Sequence, residues 1–95
     1  MPAYVIVDVH VKDAERYQEY RTMVPASLEK YGGKFLVRAG KFEKLEGDRQ
    51  FERVVVLEFP SVEVARRWYD SPEYREARAL RLRTADSHLI IVEGV

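Results

Sequence analysis

The sequence predicts an α+β domain: a four-stranded antiparallel sheet with helices on one face and a second copy of the same sheet on the other. Three observations carry this. Val54, Val55, Val56 and Leu57 are four consecutive aliphatics, so their strand has no solvent face and needs cover on both sides. Ser61 to Asp70 follows directly with Val64, Ala65, Trp68 and Tyr69 at helical spacing, and that stripe covers one side. The chain has 95 residues, and a domain of that size buries only about 60 to 65% of the surface of its unfolded form. Few residues are left for a further layer, so a partner sheet is the simplest cover for the other side.

Taken in order, Tyr4 to Val11 alternates as a first strand, with Val5, Val7, Val9 and Val11 on one face and Tyr4, Ile6, Asp8 and His10 on the other. Asp13 is placed to cap a helix in which Tyr17, Tyr20, Val24, Leu28 and Tyr31 recur at three and four. Pro25 removes a backbone donor there, which predicts a kink or break near Met23 and Val24. Gly32 and Gly33 end the helix. Lys34 to Arg38 is a second strand, and Lys41 to Leu45 reads as its continuation along a lysine-bearing edge. Phe51 to Phe59 is the third. Ser61 caps one helix, and Ser71-Pro72-Glu73 starts another that runs to about Arg83. Ser87 to Glu93 is the last strand. Strand, helix, strand, strand, helix, strand with right-handed crossovers gives a ferredoxin-like βαββαβ unit, one domain spanning residues 1–95.

Sixteen basic residues balance sixteen acidic ones, so no overall field draws the chain to nucleic acid or to an anionic membrane. Arg75, Arg78, Arg81 and Arg83 cluster, but Glu73, Glu76 and Asp86 are interleaved with them, as on a solvated helix face. There is no cysteine, hence no disulfide framework, thiolate nucleophile or sulfur metal site. With no targeting segment ahead of the first strand and no apolar run of membrane-spanning length, a cytoplasmic protein is expected.

Met1-Pro2-Ala3-Tyr4, Tyr17 with Tyr20, Gly32-Gly33-Lys34-Phe35-Leu36-Val37-Arg38, Leu45-Glu46-Gly47, Arg53 to Ser61, Trp68-Tyr69 with Ser71-Pro72-Glu73-Tyr74, and Val92-Glu93-Gly94 together resemble the DUF1330 family. That family of unknown function lies within the dimeric α/β-barrel superfamily. The resemblance implies a homodimer whose two sheets face each other, with the helices outside. Relatives in the wider superfamily include cofactor-independent monooxygenases, muconolactone isomerases, haem enzymes and regulatory ligand-binding domains, so fold alone selects no reaction. Where such family members carry two glycines after the arginine of the second strand, this chain has Ala39-Gly40.

Strand parity puts Val54, Val56 and Glu58 on the sheet face away from the helices. It allows Asp8, His10, Leu36 and Arg38 to join them, which makes Arg38 and Glu58 candidate partners, most simply as a structural ion pair at the dimer interface. His10 and His88 with Asp8 lack any metal-ligand spacing, and neither histidine falls in a haem motif, so no metal and no cofactor is expected. No phosphate loop or nucleophilic serine motif is present. Six aromatic side chains fall on helix faces that meet the sheet, where core packing is their ordinary role. A helix-sheet cleft lined by tyrosine, tryptophan and arginine would also suit a small planar or carboxylated ligand, with Tyr20, Arg38, Arg53, Trp68 and Tyr74 as its binding residues. Two functions follow. In one, a cofactor-independent enzyme uses Tyr20, Tyr69 or Tyr74 to orient an aromatic or enol substrate, Arg38 or Arg53 to hold its anion and Glu58 to move a proton. In the other, a non-catalytic dimer seats a ligand or stabilises its interface with the same residues.

Overall fold

The computed structural model describes all 95 residues. The chain runs β1 (Ala3–Val11), α1 (Ala14–Glu29), β2 (Lys34–Arg38), β3 (Arg53–Phe59), α2 (Val62–Tyr69), α3 (Pro72–Thr84) and β4 (Ala85–Glu93). The strands form one antiparallel sheet in the order β2-β3-β1-β4. Each helix starts where the sequence supplies a side-chain oxygen for a free backbone N–H. Asp13 accepts from Arg16 N at 3.2 Å, Ser61 from Val64 N at 3.2 Å and Ser71 from Tyr74 N at 3.1 Å.

One face of the sheet meets the helices. Val5, Val7 and Val9 of β1 and Leu57 and Phe59 of β3 pack there against Tyr17, Val24 and Leu28 of α1, Ala65 and Trp68 of α2, and Tyr74 and Ala77 of α3. Trp68 is the centre of this core. It stacks on Tyr74 at 4.1 Å, leans on Phe59 at 5.2 Å, and donates its indole N–H to Ser27 Oγ at 3.0 Å. Gly33 is required by close approach: a Cβ at that position would lie 2.7 Å from the Phe59 ring and 2.9 Å from Leu28.

The opposite face bears no helix. Ile6, Val37, Ile90 and Val92 are 38 to 55% exposed there, with Val54 and Val56 half-buried between them. The segment 39–52 lies across one end of this face. Glu52 N donates to Asp8 Oδ1 at 3.3 Å, Arg49 stands 3.6 Å from Asp8, and Phe42 and Phe51 meet edge to face.

Three expectations need correction. Lys41 to Leu45 does not extend the edge of the sheet: Ala39 adopts a left-handed φ of 57° and turns the chain away after a last bond from its N–H to Val54 O. Arg38 does not share a face with Glu58. Phe35 pairs with Leu57 but Val37 with Val56, so one extra residue is accommodated between them and Arg38, opposite Val55, is turned to the helix side. Glu58 pairs instead with Lys34 at 3.0 Å. Thirdly, of the kink or break expected at Pro25, the break does not occur: α1 is continuous from Ala14 to Glu29.

The second and third corrections are linked. Proline at 25 leaves the carbonyl of Arg21, four residues earlier, without its helical donor. Arg38 Nη2 donates to that carbonyl at 2.9 Å, so the strand arginine replaces the missing N–H. Arg38→Ala is therefore expected to cost about 1 kcal/mol in urea denaturation, and almost nothing in a Pro25→Ala background, where the alanine N–H serves Arg21. Equal losses in both backgrounds would break the link.

Candidate functional site

Between the sheet and the helices lies a narrow cleft with an internal volume of about 30 Å³, room for water but not for a drug-sized molecule until the side chains at its mouth move aside. Tyr17, Tyr20, Arg21 and Val24 line it from α1, Phe35 and Arg38 from β2, Arg53, Val55 and Leu57 from β3, Trp68 from α2 and Tyr74 from α3. All five residues expected to bind a ligand, Tyr20, Arg38, Arg53, Trp68 and Tyr74, are thus brought together. The amphipathic spacing of α1 and the alternation of β3 aim them at the same space, and the bulge in β2 adds Arg38.

The floor of the cleft is aromatic and hydrogen-bonded. Tyr20 and Tyr74 share a hydrogen bond of 2.8 Å between their hydroxyls, and Tyr17 lies against Tyr20 at 5.2 Å. Behind them, Arg81 Nε donates to Tyr74 Oη at 3.3 Å, and Arg81 Nη1 donates to Ser87 Oγ. Arg81 is only 3% exposed, against the expectation that the arginines of this helix form a solvated face. Helical spacing places Arg81 beside Tyr74, Ala77 and Thr84, and that spacing was the available signal; the charge pattern pointed the other way. At the mouth, the Arg38 guanidinium lies 4.3 Å from the Phe35 ring centre and that of Arg53 lies 5.5 Å from Tyr17.

The two catalytic candidates stand outside the cleft. Glu58 is on the far side of the sheet, next to Lys34. Tyr69 touches Tyr74 at a ring distance of 6.2 Å but faces Arg78, which sits 4.9 Å over its ring and donates to its carbonyl. His10 holds Asp8 and Glu52 at 3.3 Å through its two ring nitrogens, while His88 is exposed on the neighbouring strand. No three His, Asp or Glu side chains converge in a metal-holding arrangement.

Sheet order, antiparallel pairing and one-sided helices define the class as a ferredoxin-like α+β domain. The chain belongs to DUF1330, a domain family of unknown function, which it matches over residues 2–95. A protein of unknown function from Rhodopseudomonas palustris is 29% identical in sequence and superposes with a TM-score of 0.79 over 99% of this chain and 82% of its own. The fold is also that of a dimeric ferredoxin-like protein of unknown function from Jannaschia sp. (10% identity, TM-score 0.74, 99% and 100% covered). SnoaB, a cofactor-independent oxygenase from Streptomyces nogalater, shares it at 11% identity and a TM-score of 0.66 over 99% and 93% of the two chains. No curated protein matches the sequence.

Burial raises the pKa of Tyr20 well above the usual phenol value of 10.0, helped by the neighbouring Tyr74 hydroxyl. Tyr17 is raised as well, by burial, against the opposing pull of Arg53. The folded state therefore holds these protons more tightly than the unfolded chain. Their contribution to stability is complete below about pH 10 and is lost as the pH climbs through the raised folded values. In an alkaline titration followed by phenolate absorbance, at least two of the six tyrosines should ionise only as the protein unfolds. Ionisation of all six before any loss of circular dichroism would contradict this.

Proposed function

We propose that the protein is a homodimer, joined through its helix-free sheet faces, that binds a small planar molecule in the helix-sheet cleft of each subunit. The observation that carries the ligand reading is the meeting of Tyr20, Arg38, Arg53, Trp68 and Tyr74, from five elements, around a single cleft. Core packing alone accounts for buried Trp68 and Tyr74. It does not account for arginines from three elements opening on the same apolar space.

The dimer reading is supported by the exposed aliphatics of the bare face and by structural neighbours described as dimeric. Pairing two such faces withdraws Ile6, Val37, Ile90 and Val92 from water, at roughly 25 cal/mol per Å² of apolar surface. It also accounts for a strand that is aliphatic on both sides. No helix is long and apolar enough to cross a membrane.

Cofactor-independent oxygenase or isomerase chemistry is the second reading, favoured by the connected Tyr20, Tyr74 and Arg81 beneath the cleft. Within it, Tyr20 acts as a hydrogen-bond donor: a phenol is neutral at physiological pH, and the raised pKa makes it a weaker acid that keeps its proton. Glu58 has no access to a ligand held there unless the sheet opens, and Tyr69 reaches it only through Tyr74. The binding reading therefore stands first.

Two measurements test these proposals. Sedimentation should give twice the mass of the chain, and Ile90→Asp, which sets a charge in the middle of the bare face, should yield folded monomers. A dilute wild-type protein that is folded and monomeric would overturn the dimer. A thermal-shift screen of aromatic and planar metabolites should yield ligands that raise the melting temperature of the wild type and not of Tyr20→Trp, which fills the cleft. Assay of each hit for product then separates binding from turnover. Ligands that stabilise both proteins equally would move the site elsewhere.

A further inference from the structure

The ligand reading leaves open what the arginines recognise. Eight ion pairs link side chains in the molecule, and none includes Arg21, Arg38 or Arg53. Each of the three instead uses neutral partners. Arg38 spends one donor on the Arg21 carbonyl and lies over Phe35. Arg21 reaches Gln18 Oε1 at 3.3 Å, and Arg53 lies over Tyr17. The Nε–H groups of both Arg21 and Arg53 are buried without any hydrogen-bond partner.

A guanidinium is always charged, presents its donors as a rigid planar fork and is expensive to desolvate unless an anion meets it. Three of them around one space, with no carboxylate among the lining residues, also repel one another. A protein that needed them only for packing would gain by pairing them, and acidic residues are as abundant in this chain as basic ones. Most of the remaining lining is aliphatic or aromatic, so it matches an anion that carries an apolar body better than a bare one.

We propose, resting on the reading of the cleft as a ligand site, that its ligand is an aromatic carboxylate. The carboxylate is held at the mouth by Arg21, Arg38 and Arg53, with the orphaned Nε–H groups of Arg21 and Arg53 as donors. The ring packs against the aromatic lining, Tyr17 and Phe35, as the narrow cleft widens to admit it. The carboxylate then supplies the one partner that these guanidinium groups lack, and it cancels their mutual repulsion.

The experiment uses the intact protein, with benzoate, phenylacetate and 2-naphthoate as probes and the three corresponding amides as neutral isosteres. Arginine Nε–H and tryptophan indole N–H signals are followed by nitrogen-15 correlation spectra. At least one carboxylate should shift the Arg21 and Arg53 Nε–H signals saturably, its amide should bind at least about tenfold more weakly, and added salt should weaken the carboxylate alone. Arg53→Gln should reduce carboxylate affinity by about tenfold or more while leaving amide binding within about twofold. Arg21→Gln, on the half-buried surface of α1, provides the same comparison if Arg53→Gln does not fold. Amides that bind as tightly as the acids, with no response to either substitution, would sink the carboxylate assignment and leave the cleft standing as a neutral site. If no acid or amide moves Trp68 or the arginine signals at millimolar concentration, the cleft reading falls with it.

Discussion

The mouth of the cleft depends on a single backbone accommodation in β2. One residue more on β2 than on β3 between the Phe35 and Val37 pairings reverses the strand's facing, and Arg38 turns from the bare side of the sheet to the helix side. There its guanidinium reaches the Arg21 carbonyl that Pro25 leaves without a donor. A proline in the fourth turn of a long helix would otherwise leave an unsatisfied carbonyl at the edge of the core. Helix, strand and cleft mouth are thus tied together by one hydrogen bond, and the side chain that makes it also lines the cleft.

Much of the fold was legible because the informative positions obey simple periods. Alternation in β1, the aliphatic run of β3 and the serine caps of α2 and α3 each follow from local chemistry, and the structure agrees with them. The bulge was not legible: Leu36 and Val37 are both apolar, so parity counted along Lys34 to Arg38 has no mark where it should skip. Pro25 misled for a related reason. Its local penalty is real, but the donor that offsets it comes from a residue thirteen positions later and across the layer. The edge extension at Lys41 failed on Ala39, whose left-handed backbone gives no sign in the side chain itself.

The site residues divide in the same way. Tyr20, Arg53, Trp68 and Tyr74 converge because each occupies an inward position of a regular element, and periodicity alone finds such positions. Glu58 failed to join them through that same periodicity, since it lies one residue from Leu57 and so on the other face. Arg81 carries two opposing signals. Its spacing is that of the buried stripe, while its neighbours in sequence are charged, and burial follows the spacing because Tyr74 and Ser87 supply oxygens for its donors.

A balanced net charge conceals a sorted one. On the bare side of the sheet, Asp8 and Glu58 meet His10, Arg49 and Lys34, so charge there is locally paired. On the helix side, Arg21, Arg38 and Arg53 open on the cleft and Arg81 stands behind Tyr74, with no carboxylate in contact with any of them. The sheet, with its aliphatic side chains on both surfaces, keeps the two sets apart, and attraction across it is weaker than a direct contact. A sum over the chain is blind to such an arrangement, whereas an anion entering the cleft would meet an excess of positive charge within the first few ångströms. Within the helix-side set the cost of burial falls on the Nε–H groups of Arg21 and Arg53, which have no hydrogen-bond partner. The bare face, by contrast, combines oily surface with locally paired charge, and carries no comparable excess of either sign.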